Sequence, residues 1–125
     1  MRDLYNNIST IQALTPAVQA ASINGASIDT KGSKGLAFVV NTGAIAGTGV
    51  FALSVEESDN ASDWTAAAAE AVQGALPASM AADTVYRVGY LGFARYARVV
   101  LTKTSGTSIA AGAVAVLAPL DRPAA

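Results

Sequence analysis

The chain has 125 residues, a formal net charge of −1 and neither histidine nor cysteine. Those two side chains supply most proton relays, thiolate nucleophiles and transition-metal ligands, so disulfides, zinc–thiolate sites and Ser–His or Cys–His catalytic pairs are excluded. Charged residues are only 14% and nearly balanced, which gives no field for gripping a phosphate backbone and argues against nucleic acid as a partner.

In chain order, the first fifteen residues carry no apolar period and precede Pro16. They read as an N-terminal arm (1–15) in which Leu4, Tyr5, Ile8 and Ile11 either cover the domain's own core or reach a neighbouring subunit. With Arg2, Asp3 and two asparagines and no apolar run, the segment is not read as a signal peptide. Residues 16–120 read as one domain and 121–125 as a short tail. Asn24-Gly25, flanked by Ala17 to Ala20 and Ser27 to Asp29, predicts a hairpin. Leu36 to Val40 (LAFVV) is apolar without alternation and predicts a strand covered on both sides. The following GAIAGTG, Gly43 to Gly49, lacks Walker or dinucleotide spacing and reads as a flexible loop.

Phe51 to Glu56 (FALSVE) alternates, which at a period of two buries Phe51, Leu53 and Val55 on one face. The acidic run Glu56 to Asp63 follows. Alternating oxygens suit calcium, but this run lacks the central glycine and distal glutamate of an EF-hand, so a solvated turn is the simpler reading. Glu56, Glu57 and Asp63 are also the only candidate acids for a glycosidase-like reaction, which needs two carboxyls facing one sugar. Trp64, the sole tryptophan, reads as a core or edge plug, with a stacking platform as the alternative. Thr65 to Gln73 (TAAAAEAVQ) is either irregular strand or a short helix stopped by Gly74.

Thr84 to Tyr90 predicts a strand with Tyr86, Val88 and Tyr90 on one face and Arg87 on the other. Arg95 to Lys103 predicts a central strand and Ala113 to Leu117 another, and the short, turn-rich connections predict antiparallel neighbours. On that arrangement Arg87, Arg95 and Arg98 concentrate positive charge on adjacent strands. They either meet carboxylates of another subunit, or pair with Glu56, Glu57 or Asp59 in the same domain or simply face water. No stretch nears the ~18 apolar residues of a membrane span. The succession of short strands and turns predicts an all-β, antiparallel sandwich.

Ser27 to Gly32, Phe38-Val39-Val40, Phe51 to Asp59 with Trp64-Thr65, Gly89 to Gly92, and Arg95 to Thr102 together resemble small structural proteins of tailed bacteriophages and prophage-like particles, namely capsid decoration (cement) or head-spike-base proteins. The resemblance spans about Pro16 to Pro123. It implies a compact jelly-roll β-sandwich and a non-enzymatic virion protein without cofactor. That protein would bind the major capsid protein on the outside of a head as a homo-oligomer such as a trimer, after synthesis in the bacterial cytoplasm. Leu4, Tyr5, Ile8, Ile11, Arg87, Arg95 and Arg98 are the residues expected at that interface. Alternatives are a tail or head–tail connector component, or a carbohydrate-binding sandwich that stacks sugars on Trp64, Tyr86 or Tyr90.

Overall fold

Extended backbone dominates the chain because β-branched and aromatic residues recur between glycine turns. The computed structural model describes residues 4–74, 76–77 and 79–119. Its described strands are β1 (Ser9–Gln19), β2 (Ile23–Asn24), β3 (Ile28–Asp29), β4 (Ser33–Ala46), β5 (Val50–Ser58), β6 (Thr65–Ala66), β7 (Val72–Gln73), β8 (Val85–Tyr90), β9 (Tyr96–Ser105) and β10 (Ser108–Pro119). Single 3-10 turns lie at Tyr5–Asn7 and Ala69–Ala71.

The strands form two antiparallel sheets. One runs β1-β10-β4-β8-β7, the other β2-β9-β5-β6, with β3 also on β9. Successive strands cross from one sheet to the other after β1, β3, β4, β6, β8 and β9. This is jelly-roll connectivity, as expected from the resemblance. The inner faces supply the core: Phe38, Val40, Val88 and Ala115 from the β10 sheet meet Phe51, Leu53, Val55, Val99 and Leu101 from the β9 sheet, all buried. Phe38 lies between Ala115 and Val88 in register, so a large ring sits beside smaller side chains and the layers interdigitate.

The two longest paths change sheet side by side. β4 becomes β5 through residues 47–49 and β9 becomes β10 through residues 106–107, and the register brings Ala46 opposite Ser108 and Val50 opposite Ser105. Gly106 adopts φ +81°, and a Cβ there would stand 2.5 Å from Gly49 Cα and 2.6 Å from its nitrogen. Only glycine fits that corner.

Several expectations are corrected. Residues 9–15 are not a free arm but the first part of β1, paired with β10 from Ser9↔Leu117 to Leu14↔Ala113. Two register shifts, at Gln12/Leu14 and Leu14/Ala17, break its alternation and hid the strand. The first leaves Ala13 outside the ladder, and its carbonyl accepts the Ala26 N–H at 2.7 Å. Asn24-Gly25 does not turn a hairpin: β2 and β3 both pair with β9. Gly25 instead passes between the sheets, donating to the Val99 carbonyl at 2.7 Å, where a Cβ would fall 2.6 Å from the Ala13 oxygen. Gly43 to Ala46 belong to β4, so the expected loop shrinks to residues 47–49. Of the two readings of Thr65 to Gln73, irregular strand is the one observed, with a 3-10 turn at Ala69–Ala71. The segments at 84–90, 95–103 and 113–117 are strands but not neighbours: β9 lies in the other sheet, and β4 separates β8 from β10. The expected tail, 121–125, lies outside the described residues.

Candidate interaction surface

The three arginines do not form one patch. Arg87 is exposed on the outer face of β8, whereas Arg98 is on β9 and Arg95 just precedes it, in the opposite sheet. Because β8 and β9 are consecutive but jelly-roll strands alternate between sheets, closeness in sequence did not become closeness in space. Arg98 instead pairs across the strands with Glu56 at 2.6 Å, and its guanidinium lies 4.2 Å from the centroid of the Trp64 ring. These groups are mostly covered, and the planar guanidinium satisfies a carboxylate and a ring together. Arg95 pairs with Asp29 at 3.0 Å and lies over the Tyr96 ring. The Arg95 hydrogen bond, seconded by the Lys31 amide, holds the Asp29 carboxyl below its ordinary value. That contribution is lost as pH falls, and it is small because both side chains are nearly half exposed, at 49% and 43%. Two of the three guanidiniums are therefore engaged within the chain.

The residues of the N-terminal segment are spread as well. Leu4 and Tyr5 are exposed, Tyr5 at 85%, while Ile8 is half-buried. Ile11 is 45% exposed but stands opposite the core residue Ala115, on the inner side of the edge strand.

The acidic run is likewise distributed. Adjacent strand residues point to opposite faces. Glu56 therefore meets Arg98 on the outer face, while Glu57 accepts the Tyr90 hydroxyl at 2.5 Å from across the sandwich. Glu56 and Glu57 thus cannot face one sugar as a pair. Beyond them the chain closes as a turn: the Asn60 side-chain oxygen accepts the Ser62 and Asp63 amides, and the Ser58 hydroxyl accepts those of Asn60 and Ala61. No group of three or more potential ligands that could hold a metal occurs among the described residues. The sugar-stacking set also comes apart, because Tyr90 is buried, Tyr86 accepts the Ala81 amide and Trp64 carries Arg98 on one face.

Tyr90 joins the two sheets through Glu57 and also accepts the Ala94 amide. Burial, then the hydrogen bond to Glu57, raises its pKa from 10.0 to about 12. The folded state thus holds this proton more tightly than the unfolded chain. Its contribution to stability is whole below about pH 10 and is lost as pH rises towards 12. Tyr90→Phe is expected to lower stability at neutral pH by about 1 kcal/mol and to remove this part of the alkaline loss. Urea titrations at neutral and alkaline pH check this; an unchanged difference between wild type and variant across that range would contradict it.

What the fold does assemble is the outer face of the β10 sheet. The register aligns Gln12, Val114, Val39 and Arg87 in one row across β1, β10, β4 and β8, and Thr10, Val116, Ala37 and Gly89 in the next. Arg87 is the one charged residue in those rows. The second bulge carries Pro16 over Gly112, leaving a groove of about 620 Å³ walled by Pro16, Ala17 and Val18 on one side and Val85 on the other, with Val39 and Val114 in its lining. Val18 is 69% exposed and Val85 62%. Sequence reasoning did not name this face, although its signal was present in the unbroken apolar run of β4. The run was expected to be covered on both sides; Leu36, Phe38 and Val40 are buried, but Ala37 and Val39 are only half covered.

Comparison with known proteins places this architecture. No family profile and no curated protein matches the sequence. Among solved structures, the SPBc2 prophage-derived protein YomS superposes with a TM-score of 0.53 at 11% identity, covering 89% of this chain and 92% of that one. The infectious bursal disease virus VP2 subviral particle gives a TM-score of 0.51 at 12% identity, over 90% of this chain. The Gx strain of the same virus gives 0.50 at 14% identity. This chain spans about a third of each of those two viral chains, 32% and 33%. The fold is thus an all-β jelly-roll sandwich shared with a prophage-derived protein and with a viral particle protein.

Proposed function

We propose that this chain is a non-enzymatic structural subunit of a phage or prophage-derived particle, placed on the outside of the head as a decoration protein that clamps neighbouring capsid subunits. The observation that carries the reading is the jelly roll itself, matched over nearly the whole length of a prophage-derived protein. In a chain without histidine or cysteine, Asp29 and Glu56 are in ion pairs, Glu57 is in an inter-sheet hydrogen bond and Asp63 is in a closed turn, an arrangement that favours a binding surface over chemistry. Clamping would work by mass action: each copy adds contacts across two or more capsid proteins, and separating those proteins then costs the binding free energy as well.

Exposed Leu4 and Tyr5, ahead of the sandwich, are the groups left for the capsid side, followed by half-buried Ile8. Deleting residues 1–8 should leave the fold intact and reduce occupancy on heads. Extending the deletion through residue 12 removes the pairing of Ser9 to Gln12 with β10 and should lower the melting temperature as well. Co-sedimentation of purified protein with intact heads and with isolated tails tests the placement. Saturable binding to heads is expected, and binding at tails alone would move the protein to the connector class.

A further inference from the structure

We infer that the outer face of the β10 sheet is a self-association surface, on which a second copy of this chain packs face to face. The inference goes beyond the virion reading and does not depend on it. It starts from the strand pattern. A strand with one wet face alternates apolar and polar residues, whereas a strand buried on both faces is apolar throughout. β5 leads from its outward Ala52 and Ser54 to Glu56, which pairs with Arg98 beside it. β4 and β10 offer Ala37, Val39, Val114 and Val116 outward instead, although nothing among the described residues covers them fully.

Area points to the same occupant. Four strands about 4.8 Å apart, over about eight residues of about 3.3 Å each, present roughly 500 Å². Two such faces bury about 1,000 Å² in total, the least that a specific interface needs. The charge distribution permits it. A twofold axis along the strands, between β10 and β4, lays Val114 over the partner's Val39 and brings Gln12 opposite the partner's Arg87. The two guanidiniums are then held apart at opposite margins. Edge-to-edge pairing is the poorer route, because β1, the long edge strand of this sheet, is interrupted by its bulges and by Pro16, which has no N–H to donate.

The test is sedimentation equilibrium of the full chain up to millimolar concentration, with Val114→Glu and Val85→Glu as interface variants. Thr102→Glu, exposed on β9 in the other sheet, and Phe93→Ser, at the fully exposed tip of the β8–β9 loop, serve as controls. Because Val114 and Val85 are exposed, circular dichroism should show both interface variants folded. The expected result is twice the 12.5 kDa chain mass for wild type and both controls, and the single-chain mass for the Val114 and Val85 variants. A wild type that stays monomeric throughout overturns the inference and assigns the face to a different protein. Association that survives both valine variants, or that is lost in Phe93→Ser, overturns it in favour of another contact surface.

Discussion

Replacing Gly106 with alanine is expected to destabilise the sandwich by about 3 kcal/mol, as the sum of a left-handed backbone cost and overpacking. Two conditions coincide at this residue. Its φ of +81° disfavours any side chain, and the added Cβ would press on the Gly49 backbone rather than on a side chain that could rotate away. The corner cannot relax independently, because the same residues carry β4 into β5 and β9 into β10. A shift there disturbs Ala46↔Ser108 in one sheet and Val50↔Ser105 in the other. Thermal and urea unfolding of Gly106→Ala measures the loss. A change below about 0.5 kcal/mol, the range of an ordinary surface substitution, would show that the two corners are not packed as described.

Phe38→Ala is expected to cost about 4 kcal/mol, the usual range for emptying a buried aromatic site. That is a large part of the total stability of about 5–15 kcal/mol typical of a single domain. Phe38 is fully buried, with Ala115 and Val88 on the flanking strands. Those short side chains cannot refill the space of a ring. The neighbouring substitution Val39→Ala supplies the control. Val39 points to the opposite face and is only half covered, so its loss should cost about 1 kcal/mol in the free subunit. Because a one-residue slip exchanges the two faces of a strand, the contrast between positions 38 and 39 reads the register of β4 directly. Equal losses at both positions, measured by urea denaturation, would contradict it.

The inner faces of β5 and β8 were legible in the sequence because their side chains obey a period of two. Phe51, Leu53 and Val55 are buried together, and Val88 and Tyr90 turn inward while Arg87 turns out. β1 was not legible because the register shift between Gln12 and Leu14 breaks its alternation, leaving Ala13 and Leu14 both buried, and that bulge is set by pairing with a strand about a hundred residues away. Asn24-Gly25 carried a true glycine requirement whose cause was misread. The constraint is close approach to the Ala13 and Val99 carbonyls rather than a hairpin turn. The expected arginine patch failed for a topological reason, since short connections in a jelly roll join strands of different sheets.

The candidate surface was half legible. The two-sided apolar character of Leu36 to Val40 was read as a covered strand, and the fold shows which side its own core covers. The other side became visible only when the register aligned Val39 with Val114 and Arg87 across three strands. The acidic run had no local signature that could have foretold its division. Glu56 is matched to Arg98 and Glu57 to Tyr90 by residues more than thirty positions away.

The central claim is that this chain is a resident part of a particle. Quantitative mass spectrometry of gradient-purified particles from the organism that encodes it, with empty and filled heads analysed separately, tests this most directly. The account predicts that the chain co-purifies with heads at a fixed ratio to the major capsid protein and leaves the particle only under conditions that dissociate proteins. Particles that carry all their other structural proteins but lack this chain would contradict it.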